Sequence, residues 1–330
     1  MPQQGGSGTA YLDTIRRDEG ADACIRAFGS ACESDRRQAA GMLNDPQLTF
    51  GSLFILAPQI AQYGLARSLS PRNAAALHAA GLAGGIAPGR NDAERAALKW
   101  MLETGRADDG MSDDFEAALE RAASVLINTY HDADILPSVV DMIFERSRKG
   151  HNIHSLVWAA FQSRSPEVLK LIAQRLHTAD EPDARLSCSL LGIDEPAGGA
   201  AAEYQKRHEA YLRWLNENDP YLYFTGESLQ YASRPAVCAV DLERKYIQRG
   251  TPRYDRQPVS PADMGERNAL AAFAALKPDD RALLSRYSHQ LHARDASGWK
   301  TWVRSPIEEQ VQTAKLSRGN IDDYGLGKFV

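Results

Sequence analysis

The chain has 330 residues, of which 43% are hydrophobic and 25% are charged. This length suits either two domains or one continuous array of repeats, and the composition is typical of a folded globular protein rather than a disordered one. The net charge of −5 gives no overall attraction to nucleic-acid phosphates or to an anionic lipid surface. We therefore disfavour nucleic acid as a partner and expect no membrane association.

The N-terminal segment, residues 1–9, is rich in Gly and Gln, and we expect it to be disordered. It lacks the apolar core of a signal peptide, so we expect a cytoplasmic protein, with a secreted effector that needs no ordinary signal peptide as the alternative. The four cysteines form no CxxC pair, which favours reduced thiols over a metal site or a disulfide framework. The chain contains 29 Arg but only 9 Lys, a bias typical of bacterial proteins from GC-rich genomes.

Serine followed by proline marks several predicted helix starts. The serine side chain can accept a hydrogen bond from the first turn of a helix, and proline at the first helical position needs no partner for an amide proton. The predicted helices after the last two such pairs cover 261–275 and begin at 306, and another is predicted over 279–293. The four pairs are Ser70-Pro71, Ser165-Pro166, Ser260-Pro261 and Ser305-Pro306.

Between residues 112 and 177 apolar side chains recur at helical spacing in four short segments. The first has Ser112 as its N-cap and an apolar stripe that starts at Phe115. The second starts after Asp134, the predicted cap, and ends at Gly150. Two more helices are predicted in "NIHSLVWAAFQ" and "SPEVLKLIAQRLH".

Helical hairpins therefore begin near residues 70, 112 and 151, a spacing of about 40 residues. This spacing resembles that of HEAT-like and armadillo-like repeat proteins, although no fixed motif is shared between the repeats. The resemblance implies an all-α fold in which antiparallel hairpins stack as an α-solenoid, because each thin hairpin buries its apolar face only against its neighbours. We predict such a helical-repeat domain for residues 10–192. A compact irregular helical domain is the alternative.

The pattern changes after Gly192. Residues 193–260 contain one predicted helix and then an irregular segment rich in Pro, Tyr and Arg. Irregular segments of this length are usually functional or wrapped on the surface of their own protein. Residues 261–317 are predicted as C-terminal helices, and residues 318–330 as an extended tail.

The irregular segment carries most of the candidate partner-binding residues. Residues 232–258 hold six basic side chains against three acidic ones, and Arg and Tyr are enriched at binding hot spots. Packing within the chain is the alternative for these side chains, and we expect those at 221–224 first to form an extended piece that caps the helical array. The candidate contacts to another protein, or to a neighbouring copy of this chain, are Tyr221, Tyr223, Phe224, Arg244, Tyr246, Arg249, Arg253, Tyr254 and, in the tail, Phe329.

A group of histidines gives an enzymatic alternative. His131 and Asp132 resemble the HD pair of metal-dependent phosphohydrolases, and His151 and His154 are spaced to share one helix face. This resemblance implies a metal ion that activates water for hydrolysis. The other interpretation is that these histidines stand at exposed helix ends, where His131 meets the negative end of a helix dipole.

No other pattern predicts catalysis. The sequence has neither a GxSxG nucleophile elbow nor a Walker loop, and adjacent carboxylates such as Asp108 and Asp109 are expected in solvated turns. We therefore expect a non-enzymatic bacterial adaptor or assembly subunit whose stacked helices present a groove, with no cofactor. A helical metal-dependent hydrolase centred on the HD-like group is the alternative.

Overall fold

The computed structural model describes residues 9–82, 91–177, 180–196, 198, 200–227 and 236–317. Within these residues the chain is mostly helical, with eighteen α-helices and two short strands, and the all-α prediction is confirmed. None of the described helices is both long enough and apolar enough to cross a membrane. The chain forms two compact units, Met1–Ser163 and Arg164–Val330, whose boundary falls inside the predicted repeat domain.

The described part of the first unit contains ten α-helices, joined by short turns and by three single-turn 3-10 helices. The helix bounds are α1 Tyr11–Glu19, α2 Ala21–Ser34, α3 Arg36–Leu43, α4 Phe50–Ile55, α5 Ala57–Gln62, α6 Pro71–Ala79, α7 Asp92–Gly105, α8 Asp113–Asn128, α9 Leu136–Lys149 and α10 His154–Gln162.

The first unit buries its apolar stripes through successive helix contacts. Helix α7 contacts α6 and α8, and α10 contacts α8 and α9. The predicted stripe of α8 is buried from Phe115 onward, and the Phe115 ring stacks on Phe50 with 5.3 Å between centroids. A Cβ atom on Gly105, the last residue of α7, would lie 2.9 Å from the Leu119 side chain. This close approach of α7 to α8 therefore requires glycine.

Side-chain caps fix several helix starts. Ser70, Ser112 and Ser165 each accept a hydrogen bond from a backbone N–H of the following turn, which confirms these three predicted caps. The sequence predicts Asp134 as the N-cap of α9, but Asp134 does not cap this helix. Asp134 lies in the 3-10 turn Ala133–Ile135, whose cap is Asp132, which accepts from the N–H of Asp134 at 3.3 Å. Helix α9 has Ile135 at its N-cap position and no side-chain cap.

The last two Ser-Pro pairs do not start helices where predicted. One helix begins only at Met264, because Asp263 is its N-cap and accepts from the N–H of Glu266 at 2.8 Å. The Glu266 carboxylate in turn accepts from the backbone N–H of Ala262, one residue before the N-cap, so both acids satisfy amide groups at the start of this helix. The final helix begins at Ile307, with Pro306 at the N-cap position.

Asp108 and Asp109, predicted in a solvated turn, are instead bound to two different helices. Arg16 of α1 donates to both carboxylate oxygens of Asp108, at 2.8 and 2.9 Å. Arg146 of α9 donates to both oxygens of Asp109, each at 2.8 Å. Paired hydrogen bonds of this kind are the strongest arrangement of Arg with a carboxylate. The turn between α7 and α8 is therefore held to α1 and α9.

Arg146 is only 1% exposed, and its guanidinium makes five hydrogen bonds. Besides the two to Asp109, it donates to Glu120 Oε1 at 2.5 Å and to the carbonyl oxygens of Glu116 and Asn152 at 3.2 and 3.3 Å. A guanidinium has five N–H donors, so each one has an acceptor. A buried charge is tolerated under this condition.

The described part of the second unit contains eight helices and a two-stranded antiparallel sheet, with 3-10 turns at Gln174–His177, Asp219–Tyr221 and Pro252–Tyr254. The bounds are α11 Pro166–Ala173, α12 Glu181–Leu191, α13 Ala201–Asn218, β1 Leu222–Phe224, β2 Cys238–Val240, α14 Leu242–Tyr246, α15 Met264–Ala274, α16 Pro278–Arg294, α17 Ala296–Trp302 and α18 Ile307–Leu316.

A core of aromatic and aliphatic side chains joins α14, α15, α16 and α18 of the second unit. The rings of Tyr246 and Phe273 stack with 4.4 Å between centroids. The Tyr246 hydroxyl donates to Gln310 Oε1 at 2.8 Å, so this buried ring keeps its polar end satisfied. The sheet lies in the irregular segment, with Leu222 opposite Val240 in its register.

Candidate functional site

Three of the nine candidate partner-binding residues lie in the interior of the second unit. Tyr221, Arg244 and Tyr246 are 5, 8 and 0% exposed. Arg244 donates to the carbonyl oxygens of Gly250 and Gln257, both at 3.0 Å. The assignment of these three side chains to a partner contact is therefore corrected, because they support the irregular segment from inside.

Arg249 also serves the segment itself. Its guanidinium donates to Glu266 at 2.8 Å and to the carbonyl oxygen of Ser260 at 2.6 Å. These bonds tie the end of the segment to α15, and they leave Arg249 already paired. The ninth candidate, Phe329, lies outside the described residues.

The other four candidates come together, and a fifth residue joins them. The Phe224 ring meets the Tyr254 ring edge to face, with 6.1 Å between centroids. The guanidinium of Arg256 lies over the Tyr223 ring, 5.3 Å from its centroid, at a distance where a cation is attracted to a ring face. We call Tyr223, Phe224, Arg253, Tyr254 and Arg256 the aromatic–arginine surface; both arginines are exposed and the rings are half-buried.

The backbone of this surface is strained. Arg253 and Tyr254 have φ angles of 48° and 57°, in the left-handed region that side chains other than Gly avoid. Each such residue costs roughly 1–3 kcal/mol and persists only where its surroundings fix it, often at functional sites. The next residue, Asp255, forms an ion pair with Arg164.

The surface carries positive charge that no described residue neutralises. Asp255 is the only acid between residues 250 and 260, and Arg164 already pairs with it. Among the described residues neither Arg253 nor Arg256 has an ion-pair partner, and the Arg256 guanidinium lies over the Tyr223 ring. Two exposed guanidinium groups beside aromatic rings are suited to carboxylates of a partner.

Sequence reasoning missed a buried polar cluster in the same unit. Lys245 is 1% exposed, and its ammonium donates to Glu217 and, at 2.7 Å, to Asn218 Oδ1. Burial lowers the pKa of Lys245, whereas the Glu217 carboxylate raises it. This ion pair ties α14 to the end of α13.

The second half of this cluster is a hydrogen-bonded trio. The Tyr221 hydroxyl donates to Gln248 Oε1 at 2.9 Å and lies 3.2 Å from His289 Nδ1. Burial raises the pKa of Tyr221 to about 12. Burial, with the nearby Lys245 charge, lowers the pKa of His289. Because its polar groups are bonded to one another, we interpret the cluster as internal support for the irregular segment.

The HD-like group is not assembled as a metal centre. Asp132 is 3% exposed and bonds Arg95 at 2.7 Å and Lys99 at 2.8 Å. Burial favours its neutral form, but the hydrogen bonds and charges of Arg95 and Lys99 outweigh this effect and lower the pKa of Asp132. His131 is exposed, and its backbone has a φ angle of 50°, in the left-handed region.

The other two histidines do not complete a metal site either. His151 Nδ1 lies 2.5 Å from Glu116 Oε1, and His154 is the first residue of α10. Across the described ranges, no group of three or more His, Cys, Asp or Glu side chains is arranged to hold a metal ion. The predicted ligand set is therefore corrected, since its carboxylate is neutralised by two cations and His151 faces a different acid.

Comparison with known proteins does not name a relative. No family model matches the chain, and no curated protein or solved structure is significantly similar to it.

Proposed function

We propose that the chain is a non-enzymatic interaction protein, an adaptor or assembly subunit, whose aromatic–arginine surface binds an acidic segment of another protein. The observation that carries the proposal is the exposed Arg253, which has no ion-pair partner among the described residues and stands beside Tyr254 in a strained turn.

The chemistry of the surface supports an acidic partner. Guanidinium groups bind carboxylates through paired hydrogen bonds, and Tyr and Arg dominate binding hot spots. The cation over the Tyr223 ring and the contact between Phe224 and Tyr254 hold the side chains in place before binding. Such preorganisation lowers the entropic cost of association.

The proposal also includes the stacked hairpins and the location that the sequence predicts. A HEAT-like stack is proposed for the helical hairpins, and the contacts of α6 with α7 and of α7 with α8 support it. A reducing bacterial cytoplasm is supported by four free cysteines. The tail, through Phe329, is a second proposed contact to a partner or to a neighbouring copy of the chain.

The direct test uses a defined acidic probe. Binding of fluorescent peptides rich in Glu and Tyr is measured by anisotropy for the native chain and for Arg253→Glu combined with Arg256→Glu. Loss of two hot-spot arginines should weaken binding by about 30-fold or more, and added salt should weaken binding to the native chain.

A matched control changes two other exposed arginines of the same unit. Arg267→Glu combined with Arg294→Glu alters the net charge equally, and neither side chain belongs to the surface. We expect this control to weaken binding far less. No binding of any acidic peptide to the native chain, or an equal loss in the control, would refute the proposed function.

A further inference from the structure

A groove in the second unit lies between α13 on one side and α11 with the 3-10 turn after it on the other. Lys170, Gln174 and His177 follow one another at spacings of four and three residues along α11 and the 3-10 turn after it, and α13 contacts both elements. Residues at these spacings lie on one face of a helix. The cavity has a volume of about 610 Å³. It is lined by Lys170, Gln174, Arg175, His177, His208 and Leu212.

Among the described residues, the lining of this groove contains no acidic side chain. Lys170 and Arg175 bear an ammonium and a guanidinium, Gln174 offers an amide donor, and the two histidines offer imidazole nitrogens. The acid nearest to Lys170 is Glu167, whose carboxylate lies 3.6 Å from the ammonium, and both side chains are about half exposed. An exposed pair of this kind holds its partners only weakly.

His208 is the unexplained group in the groove. Both of its ring nitrogens are buried and have no hydrogen-bond partner, although an imidazole always has at least one N–H donor. The ring of His177 lies against it, with 4.7 Å between centroids. Because His177 is exposed and exposed side chains change rotamer within nanoseconds, the His177 ring can move away from the His208 ring.

We propose that this groove binds a phosphate monoester. The residues that line the cavity carry ammonium, guanidinium, amide and imidazole groups, and a phosphate offers three oxygens to several donors at once. The cavity is larger than a lone phosphate requires, so the phosphate is expected to be part of a larger molecule. This inference is independent of the aromatic–arginine surface.

The protonation of His208 gives a readout specific to the site. Burial and the neighbouring His177 lower the pKa of His208, while Glu209 raises it. The other charged groups around the groove are Lys170 and Arg175 across from it and Arg207 on its own helix. A bound anion favours the charged imidazole, so phosphate should raise the pKa of His208.

The experiment is an NMR titration of the eight histidines of the whole chain. Inorganic phosphate is added to the native chain, with chloride at equal ionic strength as the reference. We expect only the His177 and His208 signals to move, with a rise in the pKa of His208. Phosphoserine is titrated in parallel. Tighter binding of phosphoserine would assign the ligand to a phosphorylated side chain, and equal binding would show that the phosphate group alone is recognised.

Variants test the contacts. Lys170→Ala should weaken phosphate binding by about tenfold or more, because a hydrogen bond between charged groups is worth at least that factor. Lys206→Ala is the matched control, since Lys206 lies on α13 outside the groove and is 70% exposed. The His208→Gln variant lacks the His208 signal and so identifies it in the native spectrum. If that variant does not fold, His177→Gln identifies the His177 signal instead.

Three results would overturn the proposal. The first is that chloride moves the same signals as much as phosphate does. The second is that neither histidine responds to millimolar phosphate in the native chain, a measurement that needs no variant. The third is that Lys206→Ala weakens binding as much as Lys170→Ala.

Discussion

Replacing Arg146 by Met is the sharpest test of how the first unit is held together. The substitution keeps most of the side-chain volume but removes all five donors of the buried guanidinium. Asp109, which is 7% exposed, would then be a buried carboxylate without its cation. Glu120 is 20% exposed at its side chain and can turn to water. Removing one partner of a buried ion pair costs about 3–5 kcal/mol, a large share of the roughly 5–15 kcal/mol that stabilises a domain.

Hydrogen exchange in peptides from α8 and α9 measures this loss. Exchange reports local opening free energies, which is necessary because two units need not unfold in one transition. Arg17→Met is the matched control: Arg17 is exposed on α1 and the net charge changes equally. We expect the control to change the opening free energy by less than about 0.5 kcal/mol.

A double variant separates the stranded charge from lost packing. Asp109→Asn in the Arg146→Met background removes the uncompensated carboxylate, so the double variant should be more stable than Arg146→Met alone. If Arg146→Met is as mild as Arg17→Met, or if Asp109→Asn destabilises it further, the buried ion pair does not have the role that we assign to it.

Two further predictions concern packing and pH. Gly105→Ala should lower the unfolding free energy by about 1–3 kcal/mol, because the new Cβ would lie 2.9 Å from Leu119; Gly41→Ala, in a helix interior with open space around it, should raise it by about 0.5–1 kcal/mol. Denaturant titrations of the two variants should therefore shift in opposite directions, and shifts of the same sign would contradict the packing account. In the folded chain the pKa of His289 is lowered from 6.5. As the pH falls below 6.5, His289 is therefore protonated in the unfolded chain before it is protonated in the folded chain. The stability that neutral His289 contributes above pH 6.5 is consequently lost as the pH decreases toward its pKa in the folded chain. His289→Gln should flatten this part of the stability profile, and an unchanged slope would show that His289 does not cause it.

The helices were accessible from the sequence because their signals are local. The apolar stripe of α8 and the caps at Ser70, Ser112 and Ser165 depend on residues within a few positions of one another. At Ser260 the same signal misled, since a competing cap, Asp263, is followed at the right spacing by a glutamate and starts the helix three residues later. Where two caps compete, the sequence motif alone does not decide which one wins.

The ionic contacts were not accessible from the sequence. Asp108 and its partner Arg16 are 92 residues apart, and Asp109 and Arg146 are 37 apart. A pair of aspartates at the end of a 3-10 turn is expected to be solvated when only its neighbours in sequence are considered. Burial of these carboxylates depends on which helices the fold brings to the turn, and periodicity carries no information about that.

The candidate surface was accessible only in outline. Composition correctly singled out a segment rich in Arg and Tyr, but it did not separate inward from outward side chains. A strand would place Tyr221 and Tyr223 on the same face, yet Tyr221 ends a 3-10 turn and points inward while Tyr223 lies in β1. Arg256 joined the surface through its contact with a ring 33 positions earlier, a pairing without a local signal.

The buried side chains of the irregular segment support the exposed turn that carries the aromatic–arginine surface. Arg244 and Lys245 donate hydrogen bonds to groups inside the second unit. This internal support can hold the neighbouring turn in its strained conformation. Because the turn is already ordered, a partner would not have to supply the entropic cost of ordering it. Conservative changes at the buried positions should therefore weaken binding by loosening the turn, without altering the charge that Arg253 offers to a partner. We expect Lys245→Met to bind the acidic peptide more weakly at every salt concentration, with the same dependence on salt as the native chain. This result would distinguish a positioning role of Lys245 from direct contact with the peptide.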